Sequence, residues 1–121
     1  MNIFFLDDSE ERIEVAIKHF GDDDLFIERT ASEAIDTLDR IGDWGLVMLD
    51  HDLGGEVFVD SGREDCGMEV VRWIVRHRPN IERIVVHSWN SPAAEGMVET
   101  LRVAGYHVAY KPFSAPSVMM E

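Results

Sequence analysis

Apolar runs of strand length alternate along this chain with segments whose apolar residues recur at three and four positions. The runs fall at residues 2–7, 24–28, 45–50, 83–88 and 107–110. Several are continuously apolar, as in Ile84-Val85-Val86, which suits parallel strands buried on both faces. Between them, residues 9–20 carry the stripe Ile13, Ala16, Ile17, Phe20, and residues 31–41 carry Ala31, Ala34, Ile35, Leu38, Ile41. Residues 67–78 include Val70, Val71 and Ile74, and residues 92–104 carry Ala94, Met97, Val98 and Leu101. Each stripe predicts a helix with one buried face.

The punctuation agrees. Thr30 with Glu33 forms a capping box, and Asp8 with Glu11 has the same spacing. Ser91 before Pro92 reads as an N-cap and first-turn pair. Gly21 and Gly105 suit C-terminal caps, and Pro79 stops the third helix. The order β-α-β-α-β-loop-α-β-α-β predicts an α/β fold. It is a single domain with a doubly wound, five-stranded parallel sheet. Two features are irregular. The connection after Asp50 is long, at residues 51–66, and only residues 111–121, with Pro112 and Pro116 among them, follow the fifth strand. A full fifth helix does not fit there.

Composition narrows the class. With 121 residues, one domain is the default, and 45 % hydrophobic content supplies a core. No apolar run is long enough to span a membrane. The first residues lack the basic start and cleavage site of a signal peptide and read as a strand. The single cysteine, Cys66, excludes an internal disulfide and fits a reducing, cytoplasmic setting. A net charge of −13 argues against broad nucleic-acid binding but not against a small phosphate held through a metal ion.

Ligands of open parallel α/β sheets bind at the carboxyl ends of the strands. Here those ends are Asp7-Asp8, Asp50-His51-Asp52, His87-Ser88-Trp89-Asn90 and Lys111-Pro112. Carboxylates gathered at one edge raise each other's pKa, and a hard divalent cation relieves them. Mg2+ takes oxygen ligands and shares one or two carboxylates with a phosphate. A lysine and a hydroxyl opposite would hold the remaining phosphoryl oxygens. The edge therefore looks built for metal-assisted phosphoryl chemistry.

Asp7-Asp8, Asp50, Ser88 and Lys111-Pro112 together resemble the motif set of the receiver domains of bacterial response regulators, over about residues 1–113. The resemblance implies a flavodoxin-like sheet of order 2-1-3-4-5. It implies Mg2+ held by Asp7, Asp8 and Asp50 with the backbone carbonyl of Asp52, and Asp50 as the phosphoryl-accepting carboxylate. It also implies Ser88 and Lys111 on the phosphoryl oxygens; the bond to Pro112 is often cis in that family. The chain departs from the pattern in three places. Gly67-Met68-Glu69-Val70-Val71 resembles the usual start of the third helix but comes late, after an inserted segment at residues 54–66. The usual aromatic switch position, three before the lysine, is Val108. The fifth helix is missing or reduced. The strings Leu49-Asp50-His51-Asp52 and His87-Ser88-Trp89-Asn90 are most similar to a divergent branch, the cyclic-phosphate-processing receiver domains. That resemblance implies chemistry on a phosphate ester, with His51 or His87 moving protons and Asn90 orienting a substrate oxygen.

Blander roles compete for the same residues. Asp8 also reads as an N-cap and Asp52 as a turn former. His51 should point away from Asp50 by strand alternation, as should His87 from Ser88. Two functions therefore stand side by side. One is a Mg2+-dependent domain acting on a phosphate ester. The other is a phosphorelay receiver, phosphorylated on Asp50 by a histidine kinase or small phosphodonor, that binds a partner protein.

Overall fold

The computed structural model describes residues 1–21 and 23–113. The elements run β1 (Asn2–Leu6), α1 (Glu10–Phe20), β2 (Asp24–Glu28), α2 (Ala31–Ile41), β3 (Asp43–Leu49), α3 (Gly67–His77), β4 (Asn80–Val86), α4 (Ser91–Val103) and β5 (Val108–Tyr110). The five strands form one sheet in the order β2-β1-β3-β4-β5, with every pairing parallel. This is the doubly wound α/β topology expected from the alternation. β3 and β4 start earlier than the apolar runs do. Their first residues, Asp43 and Asn80, are exposed at the amino end of the sheet and joined by a side-chain hydrogen bond of 2.5 Å. The expectation that the fifth helix is missing or reduced concerns residues 111–121, of which 114–121 lie outside the described residues. Among the described residues, no helix is long and apolar enough to cross a membrane.

The two sheet faces are covered unequally. One carries the large core, where Phe4, Leu6, Val47, Leu49, Ile84 and Val86 meet the apolar stripes of α2, α3 and α4. The other carries Ile3, Phe5, Met48 and Val85 against Ile13, Ala16 and Phe20 of α1 and against Phe113. Of the expected α1 stripe, Ile17 is the exception at 49 % exposed.

Two caps differ from expectation. Ser9, not Asp8, caps α1 by accepting from the Arg12 N–H. Asn90, not Ser91, caps α4 by accepting from the Ala93 N–H. Several short polar side chains stand at each start, and tertiary bonds decide which one is left to cap. The Thr30 cap on Glu33 N–H forms as predicted. The Lys111–Pro112 bond is trans, since the described residues contain no cis peptide.

Candidate functional site

The parallel register decides which side chains meet. Leu6 stands opposite Glu28 and Leu49, Leu49 opposite Val86, and Val86 opposite Tyr110. The next residue of each strand continues the ladder. The N–H groups of Asp7, Asp50, His87 and Lys111 donate to the carbonyls of Glu28, Leu6, Leu49 and Val86 respectively. Leu6, Leu49 and Val86 point into the large core. Strand alternation therefore turns Asp7, Asp50 and His87 to the opposite face, the one under α1.

There the three side chains form a tight cluster. Asp7 and His87 are fully buried, and Asp50 is 2 % exposed. One ligand atom from each lies within 4.8 Å of the others. The His87 ring is stacked flat on Phe5 at 5.0 Å and meets the edge of Phe113. Its Nδ1 is buried without a hydrogen-bond partner among the described residues. Its Nε2 donates to Asp7 Oδ2, 3.0 Å away. Asp7 Oδ1 accepts from the Ser9 N–H. Burial by itself would raise the pKa of Asp7. The His87 hydrogen bond and charge, the Ser9 N–H and Arg12 outweigh it and hold the carboxyl below its ordinary value.

Asp50 has the opposite balance. Oδ1 accepts from the His51 N–H at 2.9 Å, but Oδ2 is buried with no hydrogen-bond partner among the described residues. Burial, with the neighbouring charge of Asp7, pushes its carboxyl up to about 8 against the opposing pull of Arg12. A covered carboxylate oxygen without a donor, beside a second carboxylate, is a donor set suited to a hard cation.

Arg12 completes the cluster, and the sequence reading missed it. Its Nε lies 3.0 Å from Asp7 Oδ2 and its Nη2 lies 3.7 Å from Asp50 Oδ2. The Nε contact is an ion pair off hydrogen-bond geometry. The guanidinium also sits 5.3 Å from the ring of Trp89 and 5.8 Å from that of Phe113, within cation–π range. The indole N–H of Trp89 donates to the Phe113 carbonyl, which fixes this aromatic pair. No local spacing marked it, because its two carboxylate partners stand at the ends of two strands.

A cleft of about 220 Å³ opens beside the cluster, lined by Asp8, Arg12, Asp50, Asp52, Ser88 and Trp89 together with Gly55–Val57 of the long loop. A larger hollow of about 440 Å³ between Arg83 and Ala109 holds none of these groups. Not every residue singled out from the sequence faces the cleft. Asp8 lines it, but its Oδ2 accepts from the Gly55 N–H at 2.5 Å. Ser88 lines it with its Oγ accepting from the Asn90 N–H. Asn90 uses its carbonyl to cap α4 and its Nδ2 to donate to Asp52 Oδ1. Tyr110, adjacent to Lys111, donates its hydroxyl to the Ser88 carbonyl at 2.9 Å, so an aromatic of β5 touches the site segment although Val108 does not. His51 is fully buried and is not among the cleft residues.

His51 and Asp52 instead build the loop. His51 Nδ1 is 2.8 Å from Asp52 Oδ1, and its Nε2 is 3.1 Å from Ser61 Oγ. Asp52 also accepts from the N–H groups of Phe58 and Val59 at 2.7 and 3.0 Å. Burial raises its pKa, but these donors and Asn90 together bring it below the ordinary value. From the other side, Arg72 of α3 donates to the carbonyls of Ser61 and Arg63, and Leu53 and Val59 are buried beneath. Gly67 lets α3 start against the strand end: its N–H donates to the His51 carbonyl at 2.8 Å, and a Cβ there would lie 1.9 Å from the Asp50 carbonyl. The long connection is a hydrogen-bonded structure over the cleft.

The sequence profile of the cyclic-phosphate processing receiver domain matches residues 1–103. The chain belongs to this family. Solved receiver structures have the same fold. The signal receiver domain of a LuxO repressor-like protein from Vibrio parahaemolyticus superposes with a TM-score of 0.68 at 19 % identity, covering 98 % of this chain and 84 % of that one. NtrX from Brucella abortus, solved with ADP, gives 0.61 at 19 % identity over 98 % of this chain and 25 % of its own. The response regulator RcsB from Salmonella typhimurium gives 0.60 at 18 % identity over 97 % and 54 %. No curated protein is a significant match. The cyclic-phosphate processing receiver fold thus brings Asp7, Asp50 and His87 into a cluster that could hold a metal ion.

Proposed function

We propose that this domain carries out Mg2+-dependent chemistry on a small phosphate ester, a cyclic phosphate in the first instance, in the cleft beside Asp50. The observation that carries the reading is the buried, donor-free Oδ2 of Asp50 set against the ionised Asp7. Asp7 and Asp50 would hold Mg2+, with the Asp52 carbonyl completing the set. Bound there, the ion would neutralise the carboxylates and polarise a phosphoryl oxygen.

The chain's own groups have distinct parts. Ser88, which lines the cleft, would meet a phosphoryl oxygen, its segment held by Tyr110 and Asn90. Lys111, aligned by its ladder bond to Val86, supplies positive charge at the same edge. His87 acts as a positioning residue that orients Asp7, because its ring is closed in by Phe5 and Phe113. His51 likewise positions Asp52 and the loop. Asn90 orients Asp52 rather than a substrate oxygen, since both ends of its amide are engaged. Asp8 ties the start of α1 to the loop that covers the cleft.

Phosphorus NMR of a panel of cyclic and linear phosphate esters, with Mg2+, tests this. Turnover by the wild type that is lost in Asp50→Ala is the expected result. No ester turnover, with acetyl phosphate consumed and a phosphoaspartate signal on Asp50, would overturn it in favour of a signalling receiver.

A further inference from the structure

We propose that Arg12 is an internal counter-ion that occupies the cation's electrostatic place and competes with Mg2+ for Asp7 and Asp50. The inference rests on the phosphate-chemistry reading above and adds a residue to it. Two buried carboxylates, Asp7 and Asp50, face each other. The Arg12 guanidinium lies 3.0 Å from Asp7 and 3.7 Å from Asp50. It meets them by charge alone: Nε has no aligned acceptor, and Asp50 Oδ2 receives no hydrogen bond. A permanent structural pair would be expected to make the two parallel N–H···O bonds that a guanidinium offers a carboxylate. This one is attractive but weakly directed, and so it is replaceable.

The geometry also gives the guanidinium somewhere to go. Arg12 lines the cleft, and its side chain is 19 % exposed. Trp89, 66 % exposed, flanks it on the cleft side. Asp50 Oδ2 is covered, so a cation can reach it only when the group beside it moves. Two cations cannot share these oxygens closely without strong repulsion. Loading the site with Mg2+ therefore displaces Arg12 from the carboxylates and changes the surroundings of the Trp89 ring. The metal affinity of the site is set by this exchange, and Arg12 keeps the metal-free site from carrying an uncompensated charge.

Calorimetric titration of MgCl2 into the full chain at fixed ionic strength tests the exchange. Arg12→Gln should bind Mg2+ about tenfold more tightly than wild type or better, because the competing charge is gone. Arg12→Lys, which keeps the charge, should lie between the two. In the wild type, Mg2+ should change tryptophan emission, and Trp89→Phe should abolish most of that change. Equal or weaker Mg2+ binding by Arg12→Gln, with the wild type binding normally, would overturn the inference while leaving the proposed function standing. No Mg2+ binding by either protein would overturn both. Should Arg12→Gln fail to fold, the wild type alone decides. The Nε–H resonance of Arg12, assigned by its loss in Arg12→Lys, must shift as Mg2+ saturates the site, and a resonance that stays fixed refutes the exchange.

Discussion

Replacing Asp50 by asparagine should stabilise the metal-free protein, and the gain should grow with pH. The side chain keeps its shape, and its oxygen can still accept from the His51 N–H. What disappears is an ionisable group whose pKa rises from 3.8 to about 8 on folding, through burial and the charge of Asp7. A carboxyl with a raised folded pKa binds its proton more tightly in the native state than in the unfolded chain. Its contribution is fully present below the unfolded pKa and is lost as pH rises toward the folded one. The wild type therefore loses stability between about pH 4 and pH 8 through Asp50, and Asp50→Asn does not.

At pH 7 the full linkage amounts to about 4 kcal/mol, and relaxation around the pair brings the realised difference to about 2–4 kcal/mol. In a chain of 121 residues this corresponds to a melting temperature about 8–15 °C higher. Asp7, whose pKa is lowered, adds stability as pH rises, but it is present in both proteins and largely cancels from the comparison. The assay is urea denaturation of both proteins in EDTA from pH 4 to pH 8. Curves that converge near pH 4 and separate steadily above it are expected. A difference that stays flat across that range would refute the electrostatic reasoning. Saturating Mg2+ should close the gap by stabilising the wild type alone.

Three substitutions probe the frame around the cluster. Asp52→Ala removes the acceptor shared by His51, Phe58, Val59 and Asn90, and should cost about 2–4 kcal/mol while exposing residues 54–65 to limited proteolysis. Gly67→Ala puts a Cβ 1.9 Å from the Asp50 carbonyl and should cost about 3 kcal/mol or more, or prevent folding, in the same denaturation assay. Gly96→Ala, in α4 with open space around its Cβ, should instead stabilise by about 0.5–1 kcal/mol.

The sheet was legible because its middle strands are covered on both faces, so their residues read as unbroken apolar runs. Where exposure alternates, the reading stopped short. Asn80–Glu82 of β4 are polar at two of three positions, and the apolar run starts only at Ile84. The meeting of Asp7 and Asp50 was legible because both stand at strand ends of one parallel sheet. The direction of the histidines was harder. Alternation along one strand separates His87 from Ser88, but only the register across strands shows that His87 shares a face with Asp7 and Asp50. The α1 cap slipped by one residue because a neighbour 47 positions away, Gly55, claims the Asp8 carboxylate, and Ser91 at α4 is engaged with the Tyr110 hydroxyl. Arg12 was missed for a related reason: its partners are the ends of two strands and two aromatic rings, none of them marked by local spacing.

The cluster is best understood as a charge balance left incomplete by the chain itself. Asp7 receives two hydrogen bonds from His87 and Ser9 and stays ionised, while Asp50 receives one and is driven toward its neutral form. Folding could have satisfied the second oxygen of Asp50 with another backbone N–H, as it did for Asp52 with those of Phe58 and Val59. It places there instead a guanidinium held without a directed bond, stacked against an exposed tryptophan at the mouth of a cleft. Stability is given up at one atom, next to one replaceable cation. That pattern suits the proposed entry of a divalent ion and a phosphate ester together.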